Sequence, residues 1–171
     1  MKKLAGLALF LVLGCTLAFA QDWVRIIPDT GTVPIGAFKA GVDTGGGPLY
    51  IIRTRWDGGL VIGKYNPLYR RAYIPYGGRE ITLSSTPVEI FVGYGFWVFR
   101  RDGVPPRNAM VAGDENDGSP LYIIHGKWLG NVTCGKYSAK YHTGYIPYGG
   151  REIQVHRNIS FLVPDDLPNS Q

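Results

Sequence analysis

Beyond residue 20 the apolar positions of this chain come in short runs broken every few residues by turn formers, and no long window places them at the three-and-four spacing of a helix. Trp23 to Ile27, Leu49 to Arg53, Leu60 to Lys64, Ala72 to Tyr76, Val88 to Val92 and Phe96 to Arg100 are rich in Val, Ile, Tyr, Phe and Trp, and Gly, Pro, Asp or Asn separates them. Leu121 to His125, Val132 to Lys136, Gly144 to Tyr148 and Ile159 to Val163 continue the series. Each run predicts a short strand, because β-branched and aromatic residues fit a pleated, half-buried surface while the punctuating residues supply turns. The 24 glycines and 12 prolines argue further against helices. The expected fold class is therefore all-β, a sandwich or barrel of short antiparallel strands.

The pattern also repeats. Pro48-Leu49-Tyr50-Ile51-Ile52 and Tyr73-Ile74-Pro75-Tyr76-Gly77-Gly78-Arg79-Glu80-Ile81 recur between Pro120 and Ile153. Tyr50 and Tyr122, Lys64 and Lys136, and Ile74 and Ile146 all stand 72 positions apart, so the two copies align without a gap. A single copy of short strands buries little surface alone, which predicts one globular unit built of two pseudo-equivalent halves, residues 21–94 and 95–165. The stretch from Glu80 to Trp97 reads as strand material, so strands are expected to cross between the halves. Residues 166–171 read as a flexible tail.

Charge and chemistry narrow the function. Lys2 and Lys3, an apolar run from Leu4 to Leu17, and Ala18-Phe19-Ala20 form a secretory signal over residues 1–20, with cleavage before Gln21. Leu13-Gly14-Cys15 is a poorer match to a lipoprotein box. No other segment approaches the roughly 20 apolar residues of a membrane span, so membrane insertion is not expected. Without Lys2 and Lys3 the 18 basic residues fall to 16 against 13 acidic ones, a net charge of +3, and no basic run exceeds a pair. That is no footprint for nucleic acid. Loss of Cys15 leaves Cys134 with no disulfide partner, so packing must hold a secreted chain together. Asn131-Val132-Thr133 and Asn158-Ile159-Ser160 are N-glycosylation acceptors, which places Asn131 and Asn158 at the surface if they are used.

The duplication tests each candidate site. Gly58-x-x-x-x-Gly63-Lys64 and its repeat at Gly130-x-x-x-x-Gly135-Lys136 imitate a phosphate loop, but Tyr65 and Tyr137 replace the Ser or Thr that would hold magnesium and no helix follows. Cys134 has Ile62 as its counterpart, and Arg53 and Arg70 stand for His125 and His142, so the Cys/His set reads as a buried thiol rather than a nucleophile. The scattered histidines show no metal-ligand spacing, and no cofactor is expected. What both copies keep is an acid and a lysine. Asp43 lies seven residues before Tyr50, Glu115 seven before Tyr122, and Lys64 and Lys136 end the Gly-Lys strands. Solvated turn acids and surface lysines are one reading of these positions; a binding site for a neutral polyol is the other. Carboxylates accept from sugar hydroxyls, ammonium groups donate to them, and Trp56, Trp128, Tyr65 or Tyr137 offers a face for stacking. A glycosidase needs two carboxylates about 5 to 10 Å apart, and the sequence gives no clear second acid per copy, so an enzyme is not expected.

The initial Trp-Val, the Ala-Gly-x-Asp loop, Pro-Leu-Tyr, Gly-Lys and above all Tyr-Ile-Pro-Tyr-Gly-Gly-x-Glu resemble the DM-nine repeat family, from Trp23 to about Val163. The resemblance implies a β-sandwich-like unit made of two tandem repeats and a secreted, mannose-recognising lectin of innate immunity that forms homodimers. It implies sugar contacts at Asp43 and Lys64 in the first copy, and at Lys136 with Glu115 in the second, Asp114 standing one residue away as an alternative acid. Ala72 and Gly144 replace the cysteine common in the family before the Tyr-Ile-Pro-Tyr element. The competing expectation is a non-catalytic scaffold for protein partners, in which acid and lysine merely pair with each other.

Overall fold

The structure, a computed structural model, describes residues 21–165. The expected signal peptide at 1–20 and the tail at 166–171 lie outside the described residues. Fourteen strands follow in chain order: β1 (Asp22–Ile26), β2 (Lys39–Val42), β3 (Pro48–Trp56), β4 (Gly59–Asn66), β5 (Arg71–Tyr76), β6 (Arg79–Leu83) and β7 (Val88–Val92), then β8 (Gly95–Arg100), β9 (Val111–Asp114), β10 (Pro120–Trp128), β11 (Asn131–Ser138), β12 (Thr143–Tyr148), β13 (Arg151–Val155) and β14 (Ile159–Pro164). A 3-10 turn at Pro28–Thr30 is the single helical piece among the described residues. The chain is all-β and tandemly repeated, as the apolar pattern predicts.

Every strand of the first half has its counterpart seven strands later. The hydrogen-bonded order is β1-β7-β3-β2-β11-β12-β13-β6-β5-β4-β9-β10-β14-β8. Adding seven to each first-half label and subtracting seven from each second-half label returns the same order reversed, so a pseudo-twofold relates the halves and passes between β6 and β13. Two further pairings, β3 with β4 and β10 with β11, close the sheet on itself. The result is a barrel-like ring of β2, β3, β4, β9, β10 and β11, three strands from each half.

Side-chain alternation fills this ring. Ala40, Ile51 and Ile62 of β2, β3 and β4 meet Ala112, Ile123 and Cys134 of β9, β10 and β11 in one buried cluster. These are three pairs at the 72-residue spacing. Cys134 thus occupies an aliphatic position at the centre of the barrel, and burial pushes its thiol up to about 12. Phe91 and Leu162 close the cluster, with Trp23 and Trp97 packed against it. Neither half can cover these residues alone, which is why the repeat folds as a pair.

Two strand pairs escape the apolar pattern. β2 and β9 each carry a glycine, and a Cβ at Gly41 or Gly113 would collide with the carbonyl oxygen of Val132 or Leu60 in the other half. β6 and β13 open with Arg-Glu, the arginine exposed and the glutamate lining an inter-repeat cleft.

Candidate functional site

Each half contributes a hairpin that reaches across the pseudo-twofold. β5 and β6 are joined by Gly77 and Gly78, and β12 and β13 by Gly149 and Gly150; all four have positive φ, between 59° and 81°. Two such residues make the tight turn whose twist matches the strands, which explains the glycine pair in the repeated motif. The second glycine has another task. Gly150 N–H donates to Glu80 Oε2 of the other half at 2.7 Å, and Gly78 N–H donates to Glu152 Oε2 at 2.7 Å. The two glutamates form a reciprocal clasp between the repeats.

The other oxygen of each glutamate faces a lysine. Lys64 Nζ lies 3.2 Å from Glu80 Oε1, and Lys136 Nζ lies 4.0 Å from Glu152 Oε1. Both lysines are buried, at 5% and 4% exposure, so they are not surface residues. The glycine before each lysine lets the adjacent strand approach closely. A Cβ at Gly63 or Gly135 would collide with the carbonyl oxygen of Tyr73 or Tyr145 on the adjacent strand. Each ammonium sits between two tyrosine rings, one from each repeat, all four 5.4 Å away: Tyr73 and Tyr148 around Lys64, Tyr145 and Tyr76 around Lys136. Ring faces stabilise a desolvated cation by up to about 2 kcal/mol.

Around each lysine a cleft opens. The first, of 260 Å³, is lined by Asp43, Lys64, Asn66, Tyr69, Tyr73 and Glu80 of the first repeat and by Tyr148 and Gly149 of the second. The second, of 300 Å³, has Glu115, Lys136, Tyr141, Tyr145 and Glu152 of the second repeat, with Trp56, Asp57, Tyr76 and Gly77 of the first. The structure therefore brings Asp43 together with Lys64, and Glu115 together with Lys136. Each site is completed by the opposite repeat.

The acidic loops superimpose in their bonding. Asp43 N–H donates to Gly47 O and Gly46 N–H to Asp43 O, while Glu115 N–H donates to Ser119 O and Gly118 N–H to Glu115 O. Glu115 is thus the counterpart of Asp43. Asp114 instead accepts from Leu60 N–H and pairs with Arg55 at 3.5 Å.

The two sites are not equally restrained. Asn66 Nδ2 holds Asp43 Oδ2 at 3.0 Å, and Lys64 also donates to Pro147 O at 2.5 Å. Among the described residues no side chain hydrogen-bonds Glu115, since Ser138 stands where Asn66 does and accepts from Tyr141 N–H. Burial lowers the Lys136 ammonium from its ordinary value, opposed by Glu115 and Glu152. Burial, and then Glu80 or Glu152 respectively, raises the Tyr73 and Tyr145 phenols. Both clefts offer mixed acceptors and donors beside tyrosine faces, a surface suited to several hydroxyls at once.

Several expectations need correction. Tyr65 and Tyr137 do not stack in the clefts; Tyr65 is wholly buried with its hydroxyl donating to Pro28 O, and Tyr137 packs edge-on against Phe161 at 5.2 Å. Neighbouring strand residues point to opposite faces, so the residue after each lysine turns away from it. Trp56 does line a cleft, though that of the opposite repeat, whereas Trp128 lines another cavity altogether. The expectation of no second acid per copy is wrong, because Glu80 and Glu152 share the clefts with Asp43 and Glu115. The acid and lysine expected to pair also do not, since the lysines pair with Glu80 and Glu152. Asn131 is half-buried at a hairpin turn with its amide on Leu129 O, and Asn158 is exposed.

The reciprocal glycine–glutamate clasp around paired Gly-Lys strands carries both copies of the repeated motif. A family model for the DM9 repeat matches twice, over residues 12–83 and 82–155. The chain belongs to the DM9 repeat family. Its fold is also similar to that in the crystal structure of the nematode sperm cell motility protein MFP2B, with a TM-score of 0.63 at 13% identity, covering 88% of this chain and 48% of that one. The chain thus spans about half the length of that protein. No curated protein sequence matches the chain.

Proposed function

We propose that this DM9 protein is a secreted, non-enzymatic lectin whose two inter-repeat clefts take mannose-type glycans in innate recognition of microbial surfaces. The observation that carries the reading is the recurrence, on both sides of the pseudo-twofold, of a carboxylate on an exposed loop, a buried lysine and a ring of tyrosines. Adjacent hydroxyls of a hexose bridge such an acid and base, and a tyrosine face covers the C–H side. Both oxygens of Glu80 already have partners, Lys64 and Gly150 N–H, which suits a structural acid better than a proton donor to a glycosidic bond. Two weak sites on one rigid body, or four on a homodimer, gain by linkage roughly 10²- to 10⁴-fold in avidity.

The test is a glycan array with the protein bearing Asp43→Asn and Glu115→Gln, which keep side-chain shape and leave the lysine clasps alone. Binding to mannosides in the wild type and loss of at least tenfold in the variant, with unchanged circular dichroism, is the expected result. Retained binding in the variant would remove the site assignment. The Lys64–Glu80 pair also favours a second reading, a scaffold for protein partners in which the clefts serve only to lock the repeats. A wild type silent on the whole array would favour it.

A further inference from the structure

A second pair of cavities lies away from the lysine clefts, where β3 leaves β7 and where β10 leaves β14. β10 pairs with β14 only at Ile124 and His125, yet continues along β11 to Trp128, so the strands splay and a cavity opens. β3 and β7 do the same, pairing only at Ile52 and Arg53. These cavities are pseudo-equivalent, but their linings have diverged further than those of the lysine clefts.

In the first repeat the cavity, of 460 Å³, is polar and lined by three arginines, Arg25, Arg53 and Arg55, the last two paired with carboxylates. Arg53 pairs with Glu89 at 2.6 Å, Arg55 with Asp114, and the buried Thr54 hydroxyl donates to Pro87 O. In the second repeat Gly126 replaces Thr54, Val132 replaces Leu60, Ser160 replaces Glu89 and Phe99 replaces Arg25. Smaller residues line the wall and the carboxylate is gone. The cavity grows to 560 Å³ and is edged by Phe99 and Trp128. Lys127 and Arg157 also line it, and among the described residues neither has an ion-pair partner. Phe99 is 60% exposed, an apolar side chain held in water where the other repeat has an arginine.

An apolar cavity of this size with two unpaired cations at its edge has the chemistry of a site for one amphipathic anion. We propose that the second repeat binds a small organic acid here, its apolar or aromatic body between Trp128 and Phe99 and its carboxylate or sulfonate on Arg157 and Lys127. The first repeat, which has Glu89 on Arg53, Asp114 on Arg55 and no aromatic side chain in its lining, does not bind it. The site is independent of the glycan clefts.

The probe is 8-anilinonaphthalene-1-sulfonate, titrated by fluorescence into the folded protein, beside its uncharged analogue N-phenyl-1-naphthylamine. Saturable binding at one site per chain is expected. Lys127→Glu with Arg157→Glu should weaken the sulfonate more than tenfold and the neutral amine less than twofold. Gly126→Thr, which restores the first-repeat lining, should weaken both, and Arg25→Glu in the first repeat should change neither. Absence of saturable binding, or sulfonate affinity unmoved by the charge reversals, would overturn the proposal. So would loss of the signal in Phe96→Ser, which would locate the dye on the exposed edge of β8.

Discussion

Glu80→Ala is the perturbation that separates the inter-repeat clasp from an incidental ion pair. The change removes the acceptor of Gly150 N–H at 2.7 Å and the counter-ion of Lys64 at 3.2 Å, where the acid and lysine side chains are 10% and 7% exposed. Removing one member of a buried pair costs about 3 to 5 kcal/mol, because the remaining charge is left in a low-dielectric site. Pro147 O still receives the Lys64 ammonium, and the two tyrosine rings remain, so the lower half of that range is expected, about 3 kcal/mol. For a chain of this size that is roughly 6 to 12 °C in Tm. Glu80→Gln retains an acceptor for the amide and for the lysine and should cost only about 1 to 2 kcal/mol. Glu152→Ala should fall below Glu80→Ala, since Lys136 stands 4.0 Å from its partner. Urea unfolding followed by circular dichroism gives each value, and Lys64→Met combined with Glu80→Ala should cost less than the sum of the single changes. Glu80→Ala within 1 kcal/mol of wild type, or additive with Lys64→Met, would refute the claim that the clasp holds the halves together. The same reasoning makes Lys64→Ala and Lys136→Ala poor probes of glycan binding, because they orphan a buried glutamate.

The close strand approach at the lysines predicts that Gly63→Ala or Gly135→Ala loses at least about 3 kcal/mol of stability by the same urea assay, since the added carbon meets backbone on the next strand. Cys134→Ile should shift Tm by only a few degrees because Ile62 occupies the twin position, and a thiol reagent should label Cys134 only after denaturation. The Tyr76 phenol, pushed up to about 12 chiefly by its hydrogen bond to Asp57, should ionise well above the ordinary tyrosine range in an absorbance titration at alkaline pH. Its folded pKa lies above the unfolded value, so its stabilising contribution is complete below pH about 10 and disappears as pH rises through about 12, an effect absent in Tyr76→Phe.

The strands with strong apolar runs, β3, β4, β5 and β7 with their counterparts, are legible because burial on the barrel side demands Ile, Leu, Val and Tyr at fixed positions. β2 and β9 are not. Lys39-Ala40-Gly41-Val42 and Val111-Ala112-Gly113-Asp114 read as loops, since their glycines answer to a carbonyl in the opposite half rather than to any local preference. Asp43, Lys64, Glu115 and Lys136 stand out in sequence because both copies keep the acid and the base. Glu80 and Glu152 carried the same signal inside the most conspicuous motif, but their role depends on a hairpin folding back across the twofold. Tyr148 beside Lys64 and Tyr76 beside Lys136 come from the other repeat, and no spacing along one copy announces a partner in the other.

That exchange bears on how the two copies could diverge. The Tyr-Ile-Pro-Tyr-Gly-Gly-x-Glu element serves both repeats: its first tyrosine and its glutamate line the cleft of their own repeat, its second tyrosine and first glycine complete the cleft of the other, and its second glycine bonds the other repeat's glutamate. A substitution in either copy therefore disturbs both clefts and the clasp between them, and the element is the same in both. The acidic loops and the splayed cavities are held mostly within one repeat, Asp114 on Arg55 being an exception. Asp43 became Glu115 without moving the loop's backbone bonds, and the first repeat's arginine and carboxylate became an aromatic and a serine in the second. Within the repeated element, identity between the copies accompanies residues shared across the pseudo-twofold, whereas the acidic loops and splayed cavities have diverged and are where the two halves are free to take different ligands.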